Sequence, residues 1–181
     1  MQHSRSIPAS LLDYPQLFSP GLTLITGPSG IGKSSWCASL MAYAAQSGLT
    51  TGGISCPPQL EDGIKTGIWL VDVRTEERRL LGSHSVRSDH SLRVGRWHFD
   101  PQVIDWANAI LKSATAYDIL LIDEIGPLEF SAGGGFQAGI DLLDRKQYRS
   151  AFVVIRPSLL AEAQSRWSPA RVFNIIEEAH D

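Results

Sequence analysis

The chain has 181 residues, a formal charge of −3 at pH 7 and two cysteines. This length suits one domain that buries roughly 70% of its unfolded surface without disulfides or a structural metal. The weakly acidic balance argues against a nucleic-acid partner, and no apolar run reaches the roughly 18 residues of a membrane span. We therefore expect a cytoplasmic protein without membrane contact, in which a lead over residues 1–20 precedes a single domain over residues 21–181. Cys37 and Cys56 lack the spacing of a zinc site or a redox pair, so we expect structural thiols.

The first predicted elements are a strand, a glycine-rich loop and a helix. The apolar run over residues 22–25 predicts the strand. Apolar residues then recur at helical spacing over residues 36–44, and Gly48 is a typical helix stop.

A hairpin and a second helix are predicted next. Alternating apolar residues over 65–83, interrupted by a polar turn, predict an antiparallel hairpin, which we place at a sheet edge. Asp100 and Pro101 form a typical helix start, and the apolar stripe behind them predicts a helix that covers one face of the sheet.

The second half of the chain alternates strands and helices. Residues 119–122 form an unbroken apolar run, which is typical of a central parallel strand shielded on both faces. The later elements are a helix over 136–145, a strand over 152–155, a short helix from Pro157 and a strand over 172–176. This alternation predicts a three-layer α/β/α fold with a mainly parallel central sheet and an antiparallel edge hairpin. We expect the glycine-rich segment 131–135 to be a mobile loop.

A phosphate-binding motif follows the first predicted strand. Residues 27–34, GPSGIGKS, match the P-loop (Walker A) pattern GxxxxGK[ST] between a strand and a helix. Glycines let the backbone wrap around phosphate oxygens, and the bare amides and helix N-terminus supply partial positive charge. Lys33 is predicted to reach the β- and γ-phosphates, and Ser34 to hold Mg²⁺. The predicted phosphate-binding residues are Gly27, Pro28, Ser29, Gly30, Ile31, Gly32, Lys33, Ser34 and Ser35.

Two adjacent acids close the second apolar strand, as in a Walker B motif. We expect Asp123 to hold Mg²⁺, through water, opposite Ser34. Glu124 is predicted to activate the water that attacks the γ-phosphorus. Neighbouring side chains in a regular strand point to opposite faces, so both acids can approach the phosphates only if the strand ends about here. The following Gly126 and Pro127 indicate such an end.

Other P-loop classes fit the sequence less well. Residues 123–126 also match the DxxG of GTPases, but no NKxD guanine-binding motif follows. The segment FSAGGGFQ follows the acidic pair, whereas the similar transporter-ATPase signature precedes it. Two other functions remain open at this point: a kinase that phosphorylates a nucleotide or small metabolite, and a nucleotide-dependent switch or assembly module.

The ordered motifs resemble those of the cancer-related, or thermophile-type, nucleoside-triphosphatases, which are small P-loop proteins. The resemblance spans about residues 21 to 174 and is carried by TGPSGIGKS, RVGRW, LLIDEIGPLE and VFNI. It implies a RecA-like fold and slow, Mg²⁺-dependent hydrolysis of several nucleoside triphosphates, ATP and GTP among them, to diphosphate and phosphate. The chain departs from the family pattern at residues 56–61 and 177–180, which leaves base contacts and nucleotide preference open.

An arginine is also expected to stabilise the charge that develops on the γ-phosphoryl group. Arg93, in RVGRW, is the first candidate for this catalytic role, and Arg96 is the second. Trp97 and Phe173 are interpreted as core aromatics, with stacking on a base as the alternative. Three histidines lack metal-ligand spacing and are expected in loops or on the surface: His84, His90 and His98.

Overall fold

The computed structural model describes residues 18–84, 92–114, 117–131 and 133–176. Within these residues the chain forms ten strands and five helices. The strands are β1 (Gly21–Thr26), β2 (Thr51–Ser55), β3 (Pro58–Glu61), β4 (Ile64–Asp72), β5 (Arg78–Ser83), β6 (Leu92–Val94), β7 (Trp97–Phe99), β8 (Ile119–Ile125), β9 (Ser150–Ile155) and β10 (Arg171–Asn174). The helices are α1 (Lys33–Gln46), α2 (Pro101–Lys112), α3 (Pro127–Ser131), α4 (Gln137–Asp144) and α5 (Leu160–Arg166), with a 3-10 turn (Pro157–Leu159) before α5.

All ten strands belong to one sheet, in the order β10–β1–β9–β8–β2–β4–β5–β7–β6, with β3 paired to β4. The pairings from β10 to β2 are parallel, whereas those from β2 to β6 are antiparallel. The carboxyl ends of the parallel strands meet at one edge of the sheet, so the segments after β1, β9 and β8 lie side by side there. The predicted α/β fold with parallel strands at its centre is confirmed.

Helices cover both faces of the parallel strands, which explains why β8 is apolar on both sides. Leu120 and Ile122 pack in one cluster with α2, α4 and α5, whereas Ile119 and Leu121 pack in another with α1. None of these four side chains is more than 1% exposed. Alternation therefore carries apolar residues to two buried faces, as expected for a central parallel strand.

The predicted hairpin is present as β4 and β5, but its predicted position at the sheet edge is wrong. Gly82 and Ser83 of β5 pair with Phe99 and His98 of β7, and β6 lies beyond β7. Strands β6 and β7 have three residues each, which is too few to show a period in the sequence. His98 consequently lies in a strand rather than in a loop.

The predicted helix ends agree with the structure. The Asp100 carboxylate accepts a hydrogen bond from the Gln102 amide at 2.8 Å, and Pro101 is the first residue of α2. Gly48 follows α1 with φ of 77°, a left-handed backbone that glycine adopts without steric cost.

The end of the predicted lead packs on the domain. The Phe18 ring lies 5.8 Å from that of Tyr43, and the Ser150 hydroxyl lies 3.0 Å from the carbonyl oxygens of Phe18 and Ser19. The rest of the lead, residues 1–17, lies outside the described residues, as do His90, Ala132 and residues 177–180. The division at residue 20 and the mobility of residues 131–135 stay predictions.

Candidate functional site

The loop between β1 and α1 has the backbone that its glycines predict. Gly27 has φ of 147°, and a Cβ at this position would collide with the Ile175 carbonyl. Gly32, which precedes the first residue of α1, has φ of 94°. L side chains rarely adopt these conformations, so both positions require glycine. The P-loop motif therefore forms a tightly wrapped loop that leads directly into the N-terminus of a helix.

Lys33 places its cation across this loop. Its Nζ donates hydrogen bonds to the carbonyl oxygens of Gly27 at 2.9 Å and Pro28 at 2.7 Å. The ammonium group is thus held by backbone oxygens on the loop itself. No carboxylate among the described residues forms an ion pair with it.

Asp123 lies at the carboxyl edge of the sheet, next to the P-loop serine. The residue is 2% exposed, and its carboxylate accepts hydrogen bonds from the Cys56 amide at 2.9 Å and the Ser55 hydroxyl at 3.5 Å. The Ser34 side chain also interacts with this carboxylate. Burial raises the pKa of Asp123, whereas the hydrogen bond from the Cys56 amide and the interactions with Ser34 and Ser55 oppose that rise. The structure therefore brings together the two predicted Mg²⁺ ligands, Ser34 and Asp123.

Glu124 points toward the same edge because of a local irregularity in β8. Its φ is 85°, and the pairing of β8 with β9 shifts register between Ile122 and Ile125. The strand ends at Ile125, directly before Gly126 and Pro127, as the sequence indicates. The left-handed backbone of Glu124, one residue before this end, interrupts the alternation that would separate Glu124 from Asp123.

Arg156 is a candidate that the sequence analysis missed. It directly follows β9, and its Nε donates to Glu124 Oε1 at 2.7 Å while its Nη2 forms an ion pair with the same oxygen. Strand β9 lies between β1 and β8 in the sheet. The only sequence signal was an arginine just after a predicted strand, and strand order is needed to relate it to the P-loop.

Among the described residues, Arg93 forms its hydrogen bond within its own hairpin rather than with the P-loop or the acidic pair. Arg93 lies on β6, five positions from β8 in the strand order of the sheet. Its Nε donates to the Gly95 carbonyl at 3.1 Å. Arg96, the second candidate, lies between β6 and β7 with its guanidinium 5.9 Å from the centre of the Trp97 ring.

The two candidate stacking residues pack against the core. Phe173 lies 4.7 Å from the Trp36 ring, and Trp97 lies 3.8 Å from His84, measured between ring centres. Both pack against the buried apolar clusters, as the core interpretation expects. His84 follows β5 in a bend and is half-buried, so its predicted place in a loop is confirmed.

Both cysteines are buried and free. Burial raises the pKa of the Cys37 and Cys56 thiols, and the charge of Asp123 raises both further. A thiol with a raised pKa is a poor nucleophile at neutral pH, which agrees with the predicted structural role. Cys56 contributes to the site through its backbone amide rather than through sulfur.

Glu129 supports the segment after β8 and was also missed. It is 8% exposed, and its two oxygens accept hydrogen bonds from the Gly126 amide at 2.8 Å and the Phe136 amide at 3.0 Å. Burial raises its pKa, while these backbone hydrogen bonds oppose the rise. Gly135 has φ of 67°, and a Cβ there would overlap the Glu129 carboxylate. Glu129 therefore ties the end of β8 to the start of α4.

The side-chain oxygens at the sheet edge are suitable ligands for a magnesium ion. Mg²⁺ prefers oxygen ligands and is commonly bound by one or two carboxylates together with substrate phosphates. The Asp123 carboxylate and the Ser34 hydroxyl both offer oxygen ligands and lie side by side at this edge. Together with a P-loop after β1, this arrangement is that of the P-loop class of α/β proteins.

The chain belongs to the NTPase family, whose model matches residues 23–181. This confirms the resemblance that the motifs indicate. The match includes every element of the sheet apart from the first residues of β1.

Relatives named nucleoside-triphosphatase THEP1 match part of the sequence. The nucleoside-triphosphatase THEP1 of Methanopyrus kandleri is 32% identical over 114 residues, which cover 62% of this chain and 62% of the relative. THEP1 of Ignicoccus hospitalis is 36% identical over 106 residues, covering 58% of each chain. The alignment thus spans less than two thirds of the length of these relatives.

Two solved structures share the fold. The solution structure of a human cancer-related nucleoside triphosphatase has a TM-score of 0.67 at 22% identity, covering 87% of this chain and 90% of the other. The crystal structure of THEP1 from Aquifex aeolicus has a TM-score of 0.63 at 21% identity, covering 88% and 93%. In the part of this chain that the structure describes, no helix has the length and apolar character to cross a membrane.

Proposed function

We propose that this protein hydrolyses nucleoside triphosphates, ATP and GTP among them, to the diphosphate and phosphate in a Mg²⁺-dependent reaction. The observation that carries the proposal is the buried Asp123 carboxylate beside Ser34 of the P-loop, with Glu124 next to it at the same sheet edge. The names of the relatives, nucleoside-triphosphatases, agree with this activity. A cytoplasmic location fits the two buried free thiols.

The P-loop would bind the triphosphate. Its amides and the N-terminus of α1 provide partial positive charge for the phosphate oxygens. Lys33 would exchange the carbonyl oxygens of Gly27 and Pro28 for β- and γ-phosphate oxygens. The phosphate-binding residues in this proposal are Gly27, Pro28, Ser29, Gly30, Ile31, Gly32, Lys33, Ser34 and Ser35.

Ser34 and Asp123 would hold Mg²⁺ beside the bound phosphates. When bound, the ion neutralises the negative charge of the β- and γ-phosphate oxygens. Asp123 is kept in place for this role by hydrogen bonds from Ser55 and the Cys56 amide. These contacts orient the carboxylate before any substrate arrives.

Glu124 would orient and deprotonate the attacking water. The water oxygen bonds to the γ-phosphorus as the bond to the bridging β–γ oxygen breaks, and the Glu124 carboxylate accepts the proton. The diphosphate leaves with the bridging oxygen. Arg93 is not part of this proposal because β6 lies at the far edge of the sheet.

The variant Glu124→Gln tests the assignment. Glutamine keeps the size of the side chain but cannot accept the proton, so phosphate release should fall at least about 100-fold. Affinity for a fluorescent nucleotide analogue should stay within about twofold. A matched control is Glu77→Gln, because Glu77 also pairs with an arginine, at 2.7 Å, but lies on the antiparallel side. Hydrolysis at the parent rate by Glu124→Gln would show that the assignment is wrong.

Product analysis separates this reaction from phosphoryl transfer. Phosphate released from ATP and GTP without any acceptor supports hydrolysis. ATP consumption that requires an added nucleoside or metabolite, with phosphate appearing on that acceptor, would instead indicate a kinase.

A further inference from the structure

The strand order places Arg156 between the two halves of the proposed site. Strand β9 lies between β1, which leads into the P-loop, and β8, which carries the acidic pair. Val154 of β9 is level with Ile25 of β1, and Ile155 is level with Ile125 of β8. Arg156 therefore leaves the sheet at the height of the P-loop, directly beside Glu124.

The guanidinium group binds only one of the two Glu124 oxygens. Both Nε, at 2.7 Å, and Nη2 donate to Oε1. None of the described residues donates a hydrogen bond to Oε2. One oxygen of the carboxylate is thus held while the other keeps its lone pairs for a solvent molecule.

Stability alone is a weak reason for this pair. The Arg156 side chain is 57% exposed and that of Glu124 is 39% exposed, and ion pairs in such surroundings add little to the free energy of unfolding. Glu124 also adopts φ of 85°, which is uncommon for a residue with a Cβ and carries strain. The strained backbone of Glu124 and the ion pair through only one of its oxygens are better explained by a need to orient the carboxylate than by a gain in stability.

We infer that Arg156 is a positioning residue that holds Glu124 through Oε1 so that Oε2 faces the attacking water. This inference rests on the proposed function, since it assumes that Glu124 acts on water. Arg156 acts through Glu124, and the triphosphate is bound without it. Loss of the arginine should therefore lower kcat and leave nucleotide affinity unchanged.

The test compares Arg156→Ala, Arg156→Lys and a control on the same strand. Arg149 precedes β9 at its opposite end, is 55% exposed and pairs with Asp118 at 2.6 Å, so Arg149→Ala removes a similar ion pair far from the P-loop. Arg156→Ala should lower kcat about 10- to 100-fold, because small misplacements of a catalytic group cost that much. Arg156→Lys should retain an intermediate rate, because lysine supplies a positive charge but lacks the planar set of N–H donors of the guanidinium group.

Binding and folding are measured on the same proteins. The Kd for a non-hydrolysable triphosphate analogue should stay within about twofold in both Arg156 variants, and thermal unfolding should match that of Arg149→Ala. A Kd that rises tenfold or more in Arg156→Ala would show that the guanidinium binds phosphate, and the inference would be wrong. A higher kcat would show that the pair restrains Glu124, which would equally overturn it.

A double variant separates this inference from the proposed function. Adding Arg156→Ala to Glu124→Gln should not reduce the residual rate further, because the arginine would have no carboxylate to orient. A further loss would mean that Arg156 acts independently of Glu124. If Glu124→Gln loses activity while Arg156→Ala keeps the parent rate, only the inference fails. If Glu124→Gln keeps the parent rate, the proposed function fails and the inference with it.

Discussion

Replacing Glu129 by alanine should destabilise the segment that follows the acidic pair. The Glu129 oxygens accept hydrogen bonds from the buried amides of Gly126 and Phe136 at 2.8 and 3.0 Å. Alanine would leave both amides without a partner, at about 1–3 kcal/mol each. Removing a carboxylate whose pKa is raised by burial relieves part of this loss, so we expect a net decrease of about 2–4 kcal/mol in the free energy of unfolding.

The measurement is urea unfolding at neutral pH, with thermal unfolding as a second readout. For a chain of this size each kcal/mol corresponds to about 2–4 °C in Tm. The free energy of unfolding of Glu129→Gln should lie between those of Glu129→Ala and the parent. The glutamine amide keeps one acceptor, but its other position becomes a donor that faces an N–H group. Glu162→Ala, at an exposed position of α5, is the matched control and should stay within about 0.5 kcal/mol of the parent. A change of under about 0.5 kcal/mol in Glu129→Ala would refute the argument from the two buried amides.

Three further predictions concern the metal ligands, the loop and the amino end of the sheet. Asp123→Asn should lower kcat and raise the Mg²⁺ concentration for half-maximal phosphate release, measured by metal titration. The same half-maximal Mg²⁺ concentration in the variant and the parent would show that Asp123 is not a metal ligand. Gly27→Ala should lower the free energy of unfolding by about 1–3 kcal/mol in urea, because φ of 147° and the Ile175 carbonyl both exclude a side chain. Hydrogen bonds from the Thr50 amide and hydroxyl, and a smaller effect of Arg149, lower the pKa of Asp118 from 3.8 to about 2. The contribution of Asp118 to stability is therefore present above pH 3.8 and is lost as the pH falls toward about 2. Asp118→Asn should remove that part of the acid dependence, and an identical acid profile for the variant and the parent would contradict it.

Local features of the site could be predicted from the sequence. The strand before the P-loop, the glycine backbone and the helix after it all lie within residues 21–46, and each has its own pattern. The apolar run of β8 also predicts its place at the centre of the sheet and the position of Asp123 at its end. These features need only neighbours along the chain, which a linear pattern records.

The arginine near the acidic pair depends on which strands become neighbours. The motif RVGRW predicts Arg93 for this role, yet β6 lies at the outer edge of the sheet, beyond β7. Arg156 has no motif, but β9 is inserted between β1 and β8 and carries it to Glu124. The sequence has no signal for this order because the strands that pair in the sheet are far apart along the chain.

The conformations of Glu124 and Glu129 were likewise decided by tertiary structure. The sequence by itself determined that the acids follow a buried strand and that a glycine loop and a lysine follow another. Only the packed fold decided that Glu124 adopts a left-handed backbone, and that the buried Glu129 carboxylate accepts hydrogen bonds from two backbone amides. The physical reason is that a backbone irregularity or a buried charge persists only where the surrounding contacts compensate its free-energy cost, and those contacts come from residues distant in the chain.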